Sequence, residues 1–239
     1  MFSIQKFNAV ISLGQECQVA YQVQRKGLRK FSGPLDWFIT PMPSLLTLLT
    51  NGFEGFMEFG NLQILSEAKG HYVVVDRRYD VQTLHDFNVN STNSLIFDEY
   101  LMFSQKLQKR IQRFSRHVET ADSLLFIRRI GSKEEFIELY DILSYIRKGK
   151  QTTLFALDQT QEIAYDWGYG TIKNFKITIL AEKVGPNFWK GLNKEWDIVL
   201  KDVALTQRNI KLIKEKILGA TTVQKGKDVL KGMRSRVGF

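Results

Sequence analysis

Asn8-Ala9-Val10-Ile11-Ser12-Leu13-Gly14-Gln15-Glu16-Cys17-Gln18 is the stretch on which the reading of this chain turns. Its apolar first half has the character of a buried strand, and Gly14 is the residue type that lets a strand turn sharply. Past the turn, Ala20, Tyr21, Val23 and Leu28 follow Cys17 in rough helical spacing, with Gly27 as C-cap. Strand, glycine turn and helix put Cys17, the only cysteine of 239 residues, at a helix N-terminus. A sulfur there feels the positive end of the helix dipole, so the spacing predicts a thiol drawn toward its reactive thiolate. The backbone N–H groups of Gln15 and Cys17 are then placed to hold an oxyanion. The competing reading is a small apolar residue packed under the helix, a common fate of free cysteines.

A thiol nucleophile needs a base within hydrogen-bond reach, and only His71, His85 and His117 are available. His117 lies in the cation-rich helical pattern Arg113-Phe114-Ser115-Arg116-His117 and reads as a solvated surface ring. His71 opens the strand-like run His71 to Asp76, and His85 closes another, Tyr79 to Phe87. Position favours His85 slightly, with His71 in reserve. Asp86 is a poor partner for His85 if both lie on a strand, because successive side chains point to opposite faces.

Around this centre, strand and helix signals alternate. Pro41 to Asn51 reads as a helix; residues 52 to 70, studded with glycine and carrying Phe53, Phe56 and Phe59, take no assignment. Phe97, Leu101, Ser104, Leu107, Ile111, Phe114 and Val118 form one face of a long helix, with Lys106, Lys109, Arg110, Arg113 and Arg116 on the remainder. Ser123 to Arg128 is a buried-strand run, Lys133 to Arg147 a helix, and Thr152 to Leu157 and Phe175 to Leu180 further strands. Continuous apolar strands alternating with helices predict an α/β fold, a mixed sheet flanked by helices on both faces. Functional groups then gather at strand ends.

With 44% hydrophobic residues the chain can fill one substantial core, so residues 1–239 read as a single domain with a basic helical C-terminal region from about 201. The net charge is +9, and residues 201–239 hold ten Lys or Arg against Asp202, Glu215 and Asp228. Such a field attracts nucleic acid, anionic membranes or acidic proteins alike. Aromatic interleaving and every common nucleic-acid signature are missing, which makes nucleic acid a weak guess. One cysteine excludes a disulfide framework, and scattered histidines point to no metal. The Gly14 turn lacks the spaced glycines of a dinucleotide site and there is no Gly-Lys-Ser/Thr motif, so no cofactor is expected. Neither a signal peptide nor a membrane span is legible, and a reduced cytoplasmic setting follows as the expectation.

Ser12-Leu13-Gly14-Gln15-Glu16-Cys17, then Gly27-Leu28-Arg29 and Ser32-Gly33-Pro34-Leu35-Asp36-Trp37, resembles the opening signature of the DUF1796 family of papain-like cysteine peptidases. The family pattern has Phe where Leu35 stands here. A later His-Asp-Phe is supplied by His85-Asp86-Phe87, and an apolar strand ending in arginine by Leu124 to Arg129. The resemblance covers roughly the first 130 residues. It implies a Cys-His-Asp site of papain or transglutaminase type, with Cys17 as nucleophile and His85 as base. Asp36 or Asp86 would orient His85, and the strand argument favours Asp36; Asp98 and Asp158, at the ends of apolar runs, are outsiders. The chain is also similar to transglutaminase-like amide-forming enzymes of nonribosomal peptide pathways, such as those of closthioamide assembly.

The chemistry so implied is acyl transfer through a Cys17 thioester. Water as second substrate makes a peptidase or amidase, and an amine makes an amide. An unrestrained cytoplasmic protease would be hazardous, and a basic surface suits an acidic acyl or peptidyl carrier protein. Amide formation from a carrier-protein thioester onto a small amine or diamine is therefore the leading expectation, with a silent binding module as the reading of a different class.

Overall fold

The apolar runs become strands of a parallel sheet, the first of which leads into the Gly14 turn. The structure, a computed structural model, describes residues 4–158, 167–177 and 187–206. Its contacts separate residues 1–205 from 206–239, and the description concerns the first of these; the expected basic helical region beyond 206 lies outside the described residues. In chain order the elements are β1 (Gln5–Phe7), β2 (Ala9–Ser12), α1 (Gln18–Arg25), β3 (Phe38–Ile39), α2 (Met42–Thr50), β4 (Leu62–Ala68), β5 (His71–Asp76), β6 (Val81–Thr83), α3 (Phe97–Thr120), β7 (Ser123–Arg129), α4 (Lys133–Ile146), β8 (Gln151–Asp158), β9 (Ile172–Lys176), α5 (Asn193–Val199) and β10 (Val203–Leu205).

The fold is α/β. Strands β2, β7, β8 and β9 form a four-stranded parallel sheet in the order β2-β7-β8-β9. Every residue of β7 is buried, because both faces of this sheet are covered. Leu124 and Phe126 point into a core filled by α2, α3 and α4, whereas Leu125 and Ile127 point into a second core with Val19 and Val23 of α1 and Trp196 and Val199 of α5. A strand covered on both sides must be apolar on both, which is why β7 and β8 read as continuous runs.

The remaining strands do not join that sheet. Strands β1 and β10 pair with each other in parallel, and the others form an antiparallel sheet ordered β3-β6-β5-β4, so strands of both senses occur in three separate sheets instead of one mixed sheet. Part of this antiparallel sheet comes from residues 52 to 70, which carry no periodicity: Phe53, Phe56 and Met57 are buried while β4 has one side open. Phe175 begins no strand of its own but sits inside β9, and residues 178–180 lie outside the described ones.

In α3 the apolar face differs from the expected one by part of a turn. Phe103, Leu107, Ile111, Phe114 and Val118 are buried, whereas Phe97 and Leu101 are 55% and 40% exposed. Phe103 packs against Phe38 and Phe87, which sets the rotation of the helix. Lys106, Lys109 and Arg116 are exposed along its outer side, with Arg110 and Arg113 half-buried. α4 starts on a capping box in which the Ser132 hydroxyl accepts from Glu135 N–H and the Glu135 carboxylate accepts from Ser132 N–H.

Candidate active site

Gly14, Gln15 and Glu16 all have positive φ, at 78°, 68° and 94°. Three successive residues in that region make a tight, strained turn that two non-glycine residues adopt only because neighbours hold them there. The neighbours are identifiable. Leu13 N–H donates to Ile127 O at 3.0 Å and Glu16 N–H to Phe38 O at 3.1 Å. A Cβ on Gly14 would lie 2.9 Å from Thr40 Oγ1 and 3.3 Å from Leu35 O, so the backbone approaches too closely for any side chain. From below, fully buried Arg128 donates to Leu13 O at 3.0 Å, to Thr40 O at 2.7 Å and to Gln15 Oε1 at 2.9 Å.

This scaffold sets Cys17 at the N-cap of α1, its side chain capping nothing. The helix then runs from Gln18 because its apolar stripe, Val19, Ala20 and Val23, is buried against the parallel sheet; it ends where Gly27, φ 68°, lets Leu28 N–H return to Val23 O at 3.0 Å. Among the described residues, the Glu16 N–H is taken by Phe38, whereas those of Gln15 and Cys17 donate to no backbone carbonyl.

The expected low thiol pKa is not found. Burial, followed by the charge of Glu16, pushes the Cys17 thiol up from 9.0 to about 11; its own backbone N–H pulls the other way, and Asp36 and Asp86 add to the rise. The helix terminus does not offset the desolvation of a half-buried sulfur beside three carboxylates. At neutral pH the group is a thiol that needs a base.

His85 arrives through the antiparallel sheet. Phe38, which holds the Glu16 N–H, pairs with Thr83 at the end of β6, and His85 follows two residues later in a bend. The strand expected from Tyr79 to Phe87 therefore covers only Val81–Thr83, and the alternation that set Asp86 aside does not apply to it. Asp86 turns back to accept from the Thr83 hydroxyl. Burial lowers the pKa of His85 from 6.5; Asp86 raises it, and His71 and Lys69 lower it further. The ring is exposed, neutral around pH 7 and edge-on to His71, with ring centroids 6.2 Å apart. Buried His71 Nδ1 has no hydrogen-bond partner. No hydrogen bond joins the Cys17 thiol to the His85 ring, but the charge of Asp86 acts on both.

Asp36 is buried and engaged elsewhere. Its Oδ2 accepts from Arg29 at 2.5 and 3.1 Å and from Gly33 N–H at 2.8 Å. Burial raises its pKa while Arg29 lowers it, and Arg110 of α3 is close enough to lower it as well. Asp98 lies in the first turn of α3, and Asp158 ends β8, accepting from Gly131 N–H at 3.3 Å. His117 stacks on Phe31 with centroids 4.3 Å apart. Among the described residues no group of His, Cys, Asp and Glu is arranged to hold a metal, and no helix is long and apolar enough to cross a membrane.

Arg128 and Arg129 were not singled out as site residues from the sequence. The signal was present: two cations closing an apolar strand must be buried with it, and a buried guanidinium needs acceptors.

A family model described as "Putative papain-like cysteine peptidase (DUF1796)" matches residues 8–161. The chain belongs to this family. The matched DUF1796 segment holds Cys17, Asp36, His85, Asp86, Arg128 and Arg129, and membership points to an enzyme with cysteine-dependent catalysis. A relative from Acanthamoeba polyphaga mimivirus, an uncharacterized protein, is 29% identical over 216 residues, a match spanning 80% of this chain and 96% of the relative. No solved structure matches the chain.

Proposed function

We propose that this member of DUF1796 is a cysteine-dependent acyltransferase that forms amide bonds through a Cys17 thioester. The observation that carries the reading is that Cys17 stands at the N-cap of α1 on a turn tied through Glu16 N–H to Phe38, whose partner Thr83 lies two residues before His85. Neutral His85 takes the Cys17 proton as sulfur attacks the donor carbonyl carbon, and the Gln15 and Cys17 N–H groups receive the oxyanion. As the donor's carbon–sulfur bond breaks, the imidazolium returns the proton to the leaving thiol. An amine then attacks the Cys17 thioester, His85 takes its proton, and collapse releases the amide and the Cys17 thiol. Asp86 is the acid we assign to His85; Asp36, the alternative, is tied to Arg29.

The donor we assign is an acyl or peptidyl group on an acidic carrier protein, the acceptor a small amine or diamine. What supports the carrier is the cationic outer side of α3, where Lys106, Lys109 and Arg116 are exposed. The family description favours a second reading, in which water discharges the thioester and the enzyme is a peptidase or amidase. Intact-protein mass spectrometry separates the two after incubation with a carrier-bound acyl thioester, with and without a diamine. A Cys17-dependent adduct discharged into an amide supports transfer, whereas discharge by water at the same rate supports hydrolysis. Absence of any adduct from thioester and peptide amide donors would leave a binding module.

A further inference from the structure

Among the described residues three arginines are fully buried: Arg128, Arg129 and Arg147. Arg147 donates to the carbonyls of Val118 at 2.9 Å, Ala121 at 2.9 Å and Gln151 at 2.9 Å, tying α3 to β8. Arg128 holds the Cys17 turn. Arg129 has no such use: its Nε and Nη1 are buried without a hydrogen-bond partner. The nearest carboxylate oxygen is Glu16 Oε2, 3.5 Å from Nη1, on a side chain that is 45% exposed. The fold makes a permanent pair differently, as Arg29 grips Asp36 with two donors at 2.5 and 3.1 Å.

A guanidinium desolvated without matching acceptors is costly to keep, and its planar fork is suited to a carboxylate. Arg129 ends β7 at the carboxyl edge of the sheet, and Glu16 immediately precedes Cys17. The Glu16 backbone is pinned through its N–H to Phe38 O, so its side chain can leave while the turn stays in place. Asp158, at the end of β8, is the other acid whose charge reaches Arg129, and it is engaged with Gly131 N–H.

We propose that Arg129 is the anchor of a carboxylate subsite beside Cys17, occupied in the resting protein by Glu16 and in the complex by a carboxylate of the acyl donor. This rests on Cys17 as nucleophile and narrows the donors to acyl groups carrying a free carboxylate near the reacting carbonyl.

Because Cys17 is the only cysteine, its alkylation can be read by intact mass with two reagents of equal size, anionic iodoacetate and neutral iodoacetamide. Their rate ratio cancels any general change in thiol acidity. Arg129→Met is expected to lower the iodoacetate-to-iodoacetamide ratio about tenfold, the usual weight of a charge-assisted hydrogen bond. Glu16→Gln, which keeps the buried cation, is expected to raise it several-fold and serves where Arg129→Met does not fold. A ratio unchanged in both variants would overturn the subsite. Where Cys17 resists both reagents, thermal stabilisation by glutarate decides. A shift in melting temperature for the wild type, lost in Arg129→Met and enlarged in Glu16→Gln, leaves the subsite standing while the nucleophile fails, and no shift overturns the subsite too.

Discussion

The turn that carries Cys17 and the bend that carries His85 are built on opposite plans. The turn is closed from every side: Arg128 donates to two of its backbone neighbours and to Gln15, Thr40 fills the space where a Gly14 side chain would go, and Phe38 accepts from Glu16. The bend has one internal tie, Thr83 to Asp86, and its histidine is exposed. A buried cation and strained backbone fix Cys17, while exposed His85 sits on a bend anchored at its ends, where Thr83 leaves the sheet and buried Phe87 accepts from Tyr72 N–H. Placement of Cys17 is thus a property of the core, and placement of His85 a property of the surface.

The largest effects test whether both ends belong to one reaction. Cys17→Ala is expected to abolish covalent acyl capture, and His85→Ala to slow it by about a thousandfold while leaving the melting temperature nearly unchanged, since an exposed ring contributes little to stability. Single-turnover mass spectrometry with calorimetry checks both. Arg128→Met should cost about 3 kcal/mol in urea unfolding, because two buried carbonyls and Gln15 lose their donor; a cost near zero would break the contrast at its tighter end. The two acids should separate cleanly. Asp36→Asn is expected to lose about 3 kcal/mol of stability through the orphaned Arg29 guanidinium. Asp86→Asn should leave stability nearly intact and slow acylation about tenfold, with the His85 pKa moving further down as its raising charge is removed. Gly14→Ala, forced to positive φ against Thr40, should cost roughly 2 kcal/mol.

The tight end was also the legible end. A buried parallel strand, a glycine turn and an amphipathic helix each leave a local pattern, so Cys17, β2, α1, β5, β7 and α4 could be read from composition and spacing. What escaped was set by distant partners. The strand signal at Tyr79 to Phe87 ended early because the Thr83–Asp86 hydrogen bond turns the chain, which no periodicity records. The α3 face was misjudged at Phe97 and Leu101 because the aromatic cluster of Phe38, Phe87 and Phe103 chooses the rotation. The thiol was expected to be acidic from its helix terminus alone, whereas burial and Glu16 dominate. The hold of Arg29 on Asp36, favoured as the orienting acid, spans only seven residues of sequence and still leaves no local pattern.

The raised thiol also sets the sign of a pH effect on stability. The folded state holds the Cys17 proton more tightly than a chain with the ordinary value of 9.0, so this contribution is present below pH 9 and lost as pH rises toward 11.

The pH dependence of Cys17 acylation, in the wild type and in His85→Ala, tests the central claim most directly. With a protonated thiol and a neutral base, the wild-type rate should climb through an apparent pKa below 6.5 and level off by neutral pH. Without the imidazole, the rate should be far lower at pH 7 and keep rising tenfold per pH unit toward 11, following the bare thiolate. Superimposable profiles in the two proteins would contradict the pairing of Cys17 with His85.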